Sequence, residues 1–197
     1  MRVSGVCWAA IASTCPRAFP PVLSADDPLS LSTMRDRMRE SLALESTPSE
    51  ASDLLCRCWE ESLAPLEPAV YQTEGFTRED RIAAIRDLSL CLDGIEAAAV
   101  GPLLAGPRPH EADALLFPSL VLLENTLPVH FGWEAWSDEA LFWRRPRLHA
   151  FFELIKYEPV AREVERSVIA RLNDLDVDWS SIAVEVPTSN LRKIPRN

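Results

Sequence analysis

One stretch of the chain, residues 111–127 (EADALLFPSLVLLENTL), has almost no polar face. A helix at a protein surface keeps one charged side, whereas a helix that is apolar all round is buried. We therefore predict a buried central helix at about residues 112–127. Pro118 falls within its first two turns and should kink it. Any fold for this chain has to place neighbours on every side of that helix.

Helical signals also mark the segments on either side of the central helix. Thr47 followed by Pro48 and Glu50 predicts an N-cap at Thr47 and a helix that runs to about residue 63. Thr77 with Asp80 three residues later predicts a second one, up to about residue 99. Further helices are predicted at about 32–44, at 146–158 with Pro146 at the start, and at 159–172 with Pro159 at the start. Residues 47–172 show no convincing strand alternation, so the predicted class is all-α, with antiparallel neighbouring helices.

The charge of the chain argues against two classes of partner. The net charge is −10 and the pI is about 4.8. Nucleic acids and anionic membrane surfaces both select basic surfaces, so we predict neither as a partner. No continuous apolar run approaches the ~20 residues of a membrane-spanning helix, which predicts a soluble protein. The three histidines lie far apart and match no metal-ligand spacing, so no metal site is predicted.

The first 25 residues contain no Asp or Glu, and two interpretations fit them. A segment without acidic residues is typical of sequences imported into organelles. An irregular start of a cytoplasmic protein has the same composition. Five cysteines without framework spacing indicate reduced thiols, as in a reducing compartment. We favour a cytoplasmic location and keep organelle import as the alternative.

Three short motifs follow one another in the second half of the chain: residues 101–106 (GPLLAG), 110–113 (HEAD) and 145–159. In this order they resemble the loop, the capping box and the following helix of the glutathione S-transferase C-terminal domain. The resemblance spans about residues 77–172. It implies an all-α bundle like that domain, built around the buried central helix. It also implies that Asp113 caps this helix, with His110 where the family has Ser or Thr.

This resemblance suggests how the chain is divided. Residues 1–46 form a short irregular N-terminal segment, either a remnant of a thioredoxin-like domain or a targeting segment. Residues 47–175 form the helical domain, and residues 176–197 form a tail. The family's enzymes bind glutathione on an N-terminal thioredoxin-like domain, and 46 residues are too few for that fold. We therefore expect the glutathione site to be incomplete.

Parts of a glutathione site are nevertheless suggested near the N-terminus. Residues 20–23 and 29–32 resemble the family segment that carries a cis-proline and a glutathione-binding serine. By that resemblance, Pro21 and Ser32 are candidate glutathione-binding residues. Cys15, followed by Pro16, resembles the Cys-Pro start of an active site in the family and is the candidate catalytic thiol. Leu31 stands where the family has an acidic residue. This difference argues against a working site.

Two groups of residues are candidates for an apolar pocket. Glu124 and Asn125 interrupt the central helix, and polar groups in a buried helix need partners. Those partners are either protein groups, through capping or interhelix hydrogen bonds, or a bound ligand. Trp133 and Trp136 belong to a tryptophan-rich stretch that fits either core packing under a loop or the lining of a pocket.

The expected function follows from the resemblance. We expect a glutathione S-transferase-like protein without a complete glutathione site, acting as a non-catalytic binding or protein-interaction module. Its partner would be another protein or a second copy of the chain, and no cofactor is expected. The alternative is a glutathione transferase represented by an incomplete chain, which would transfer the thiol of glutathione, as co-substrate, to electrophiles. A carrier of small apolar ligands is a third interpretation.

Overall fold

The computed structural model describes residues 29–47, 49–132, 141–142 and 144–184. Within these ranges the chain forms helices and turns, and its β-structure is limited to an isolated bridge between Leu103 and Gly106. The predicted all-α class is therefore confirmed. The helices, in chain order, are α1 Leu31–Ser41, α2 Glu50–Cys58, a π-helical turn Trp59–Leu63, a 3₁₀ segment Ala64–Val70, α3 Arg78–Ala98, α4 Glu111–His130, α5 Pro146–Ile155, α6 Pro159–Asp174 and the short α7 Trp179–Ile182.

Helix α4 is the buried centre of the bundle, as its sequence predicts. It contacts α1, α2, α5, α6 and the 3₁₀ segment, and nearly every residue from Ala112 to Leu123 is fully buried. It extends to His130, three residues beyond the predicted end. By length and composition alone it is also apolar enough to cross a membrane, but most of it is buried inside the fold. A soluble core helix passes the same test.

Helix α1 confirms the helix predicted at about residues 32–44, although the segment before residue 47 as a whole was expected to be irregular. Its apolar residues recur every three or four positions, and Leu31, Met34 and Met38 are buried. This spacing gives a helix one apolar face. The face packs against α4 and α6. The predicted boundary at residue 46 therefore does not separate two packing units, because α1 shares the core of the helical domain.

The predicted cap of α2 at Thr47 is wrong by two residues. Ser49 is the N-cap, and its hydroxyl accepts a hydrogen bond from the Ser52 amide at 3.2 Å. Thr47 instead donates its hydroxyl to the Glu45 carboxylate at 3.0 Å. The α-helical pattern ends at Cys58 and gives way to the π-helical turn and the 3₁₀ segment. Prolines at positions 65 and 68 lack the amide that a continuing α-helix needs.

The other helix starts agree with their sequence signals. The hydroxyl of Thr77 accepts from the Asp80 amide at 3.1 Å, so Thr77 is the predicted N-cap of α3. Pro146 and Pro159 occupy the first positions of α5 and α6. Proline suits this position because its fixed φ matches the helix and its missing amide would have had no helical partner.

Candidate functional site

The first turn of α4 is organised by the carboxylate of Asp113, which is completely buried. One of its oxygens, Oδ2, accepts from the His110 amide at 2.7 Å, and Oδ1 accepts from the Leu104 amide at 2.9 Å. Buried amides need such partners, because an unpaired buried donor is costly. A single side chain therefore satisfies a donor at the helix start and another in the preceding loop. This places Asp113 in the capping position that the sequence implies.

A neighbouring helix also contributes to this start. His110 lies at the N-cap position with an extended backbone, and its carbonyl accepts from the Asp113 amide at 3.0 Å. The hydroxyl of Ser52, on α2, lies 3.4 Å from the Ala112 amide and accepts from it. Part of the capping is thus supplied by a residue 60 positions earlier in the chain. No sequence pattern around His110 predicts this contact with Ser52.

The loop that Asp113 holds is folded back on itself. Leu103 and Gly106 exchange backbone hydrogen bonds of 3.1 and 3.3 Å, and the Val100 amide donates to the Leu104 carbonyl at 3.0 Å. At Gly101 a Cβ atom would lie 2.8 Å from the backbone of Gly106, closer than real Cβ contacts. Glycine is needed there because the two sides of the loop approach each other so closely.

Burial raises the pKa of Asp113 to about 6. The two amides that donate to the carboxylate favour its charged form and so oppose this shift. Both oxygens are occupied by backbone donors and shielded from solvent. The arrangement therefore joins a loop to a helix and does not present an acid or base to a ligand.

A second cluster of buried polar side chains lies between α1, the 3₁₀ segment and α4, and the sequence did not predict it. The guanidinium of Arg35 donates from Nη2 to both carboxylate oxygens of Glu67, at 2.7 and 2.8 Å. Its Nε donates to the Leu115 carbonyl at 3.3 Å. Both side chains of the pair are more than 90 % buried. This ion pair is shielded from solvent and ties α1 to the rest of the bundle.

The π-helical turn contributes to the same group. Trp59 donates its indole N–H to the hydroxyl of Ser119 at 3.1 Å, and Arg35 Nη2 donates to the same hydroxyl at 3.1 Å. The guanidinium carbon of Arg35 lies 4.5 Å from the centre of the Trp59 ring, a cation–π distance. The only sequence signals were a charged residue beside the apolar stripe of α1 and Glu67 within an apolar segment.

Asn125 has a hydrogen-bond partner in its own helix, and Glu124 lies near a lysine. The Asn125 amide group donates to the Val121 carbonyl, one turn earlier in α4, at 2.8 Å. Glu124 is half-buried, which raises its pKa, and the nearby Lys156 opposes that shift. Lys156 itself pairs with Glu165 at 3.0 Å. The contact of Asn125 is within its own helix, and Glu124 lies beside a lysine shared with other carboxylates. A pocket at these residues stays a prediction.

The remaining candidates fall in different places. Ser32 is exposed in the first turn of α1. Four others lie outside the described residues: Cys15, Pro21, Trp133 and Trp136.

Among the residues with described positions, no group of three or more His, Cys, Asp or Glu could hold a metal ion. Burial raises the pKa of the Cys56 thiol to about 11, so this thiol is protonated at neutral pH and is a poor nucleophile.

Comparison of the chain with protein-family models, with curated proteins and with solved structures found no match. The resemblance to glutathione S-transferases therefore rests on the three motifs alone. Two of these, residues 101–106 and 110–113, are the parts that Asp113 brings together.

Proposed function

We propose that this chain is a glutathione S-transferase-like protein whose helical domain acts as a non-catalytic protein-binding module. The observation that carries this proposal is that Asp113 bonds both the 101–106 loop and the start of α4. Two of the motifs that suggested the family, one in the loop and one at the helix start, share a single buried carboxylate.

The orientation of α1 supports the non-catalytic part of the proposal. Leu31 occupies the position where the family has an acidic residue beside the glutathione-binding serine, and it is 1 % exposed. Its side chain is part of the core. Position 31 therefore contributes packing, whereas a glutathione site would need a charged group facing the ligand. Ser32, its neighbour, would have to bind glutathione without that group.

One observation favours the alternative, a glutathione transferase represented by an incomplete chain. Ser32 is exposed in the first turn of α1. Helix N-termini attract carboxylates because their amides and the helix dipole point toward the ligand. A carboxylate of glutathione could bind there if further parts of a site were present.

Calorimetric titration of the 197-residue protein with reduced glutathione distinguishes the two functions. We expect no saturable heat at glutathione concentrations up to the millimolar range. A one-site isotherm that is lost in Ser32→Ala but kept in the neighbouring exposed control, Thr33→Ala, would refute the non-catalytic proposal. It would favour the transferase and make residues 15–32 the next target for substitution.

A further inference from the structure

The segment that joins α1 to α2 contains Thr47, the only serine or threonine in the chain that is followed directly by proline. The sequence predicted that Thr47 would cap α2, but Ser49 forms that cap, two residues later. The side chain of Thr47 is exposed. Capping of α2 therefore does not account for the Thr47-Pro48 pair, and its threonine is accessible to another molecule.

The hydroxyl of Thr47 belongs to a short row of polar groups at the surface. It donates to Oε1 of Glu45 at 3.0 Å, and the Thr47 amide donates to the same oxygen at 3.3 Å. The other oxygen of Glu45, Oε2, accepts from Nη1 of Arg108 at 2.9 Å. The Arg108 side chain is 74 % exposed. A single carboxylate group therefore separates the Thr47 hydroxyl from a guanidinium that lies mostly in solvent.

The segment around Thr47 is attached to the fold on both sides. Before it, the Glu45 amide donates to the Pro109 carbonyl at 2.7 Å, next to the start of α4. After it, Ser49 caps α2. Residues 46 and 47 are exposed between these two attachments. A proline disfavours the helical conformation in the residue before it, so Thr47 remains outside α2.

We propose that Thr47 is a phosphorylation site for a protein kinase that requires proline directly after its target, and that Arg108 binds the resulting phosphate. In this reaction Oγ1 of Thr47 bonds to the γ-phosphorus of a nucleoside triphosphate, and the bond from that phosphorus to the β–γ bridging oxygen breaks. The nucleoside diphosphate leaves, and the hydroxyl proton passes to a carboxylate of the kinase. This inference goes beyond the proposed protein-binding function and does not depend on it.

The phosphate would change the partners of Arg108. It brings a charge of about −1.5 to −2 beside the Glu45 carboxylate at pH 7. An arginine binds phosphate through two N–H groups at once, which makes phosphate a strong competitor of Glu45 for the guanidinium. We therefore expect Arg108 to move from Glu45 to the phosphate. The nearby N-terminus of α2 also favours a negative charge, so the modified segment is compatible with the fold.

The first test is phosphorylation of the folded 197-residue protein by a purified proline-directed kinase with ATP, followed by mass spectrometry. We expect one phosphate, on Thr47, and none in Thr47→Val, which keeps the shape of the side chain but lacks the hydroxyl. A peptide of residues 41–53 is the unfolded reference. The protein should react within about tenfold of the rate of the peptide, because an exposed loop needs little local unfolding to enter the kinase.

Two results of this experiment would overturn the proposal. One is a phosphate on another residue of the folded protein. The other is a rate more than about a hundredfold below that of the peptide, which would show that the fold protects Thr47.

The second test follows the phosphate of the modified protein by ³¹P nuclear magnetic resonance as the pH is changed. A guanidinium beside the phosphate favours its doubly ionised form. We expect the midpoint of the titration to rise by about half a pH unit in Arg108→Gln. Arg78→Gln, at an exposed position in α3, is the control and should keep the wild-type midpoint. Equal midpoints in the wild type and Arg108→Gln would overturn the role of Arg108. Neither test involves glutathione, so this proposal and the proposed function can fail separately.

Discussion

At the scale of single residues, Asp113 joins the 101–106 loop to the start of α4. Its carboxylate is buried, and it accepts hydrogen bonds from the backbone amides of His110 and Leu104. Burial penalises its charged form, while the amides stabilise that form. The result is a pKa of about 6, above the usual value of 3.8 for an aspartate. The stability of the fold is therefore linked to the protonation of this side chain.

The direction of that linkage can be predicted. With a folded-state pKa raised above its unfolded value, the native state binds more protons between about pH 4 and pH 6. Stability then falls as the pH rises through that window. The shift corresponds to a decrease on the order of 3 kcal/mol. Asp113→Asn cannot titrate, so this part of the pH dependence should disappear in the variant.

Urea unfolding of both proteins at pH 4, 5, 6 and 7 measures the difference. We expect the free energy of unfolding of the wild type to decline relative to that of Asp113→Asn across this range. Parallel pH profiles would show that the hydrogen bonds from the two amides at least offset burial and that the pKa of Asp113 is not raised.

At the scale of elements, the attachment of α1 depends on the buried pair of Arg35 and Glu67. Removing one partner of a buried ion pair leaves an uncompensated charge, which costs about 3–5 kcal/mol. Replacing both partners with apolar residues of similar size removes that penalty. The two single substitutions and their combination should therefore be strongly non-additive.

We expect Arg35→Met and Glu67→Leu each to destabilise the protein by about 3–5 kcal/mol, and the double variant to recover most of that loss. The exposed pair of Arg37 and Glu163 is the matched control, with a coupling energy below about 1 kcal/mol. Urea denaturation of the two mutant cycles gives both coupling energies. Additive effects at Arg35 and Glu67 would contradict the structure of this pair.

At the scale of the whole molecule, α4 links the surrounding helices into one core. Phe117 is fully buried in α4, and its ring centre lies 5.5 Å from that of Phe152 on α5. A cavity at this position affects several helices at once. Tyr157, which follows α5, is 79 % exposed and offers a contrasting aromatic position.

We expect Phe117→Ala to destabilise the protein by about 3–5 kcal/mol, because it removes a large buried side chain and leaves a cavity. Tyr157→Ala should change the free energy of unfolding by less than about 0.5 kcal/mol. Thermal unfolding followed by far-ultraviolet circular dichroism and by tryptophan fluorescence measures both. A loss below about 1 kcal/mol in Phe117→Ala, or two separate transitions, would show that α4 does not hold a single core.

The sequence by itself determined those helices whose start or burial is encoded in residues of the helix itself. The apolar run at 111–127 specified a buried helix, since no face of it could remain in water. The hydroxyl of Thr77 and the prolines at 146 and 159 specified helix starts, because each acts on the backbone of its own first turn. The capping role of Asp113 could be inferred for the same reason, together with the motif it belongs to.

Only the tertiary structure decided what depends on residues far apart in the chain. Arg35 and Glu67 are 32 positions apart, and no periodicity shows that two opposite charges will be buried together. The Ser52 contact with the start of α4 spans 60 residues. Likewise, the apolar face of α1 could be read from the sequence, but the surface that covers it could not. Local patterns determine the backbone conformation of each segment and which face of a helix is apolar. Which surface covers that face is determined by packing and charge over the whole chain.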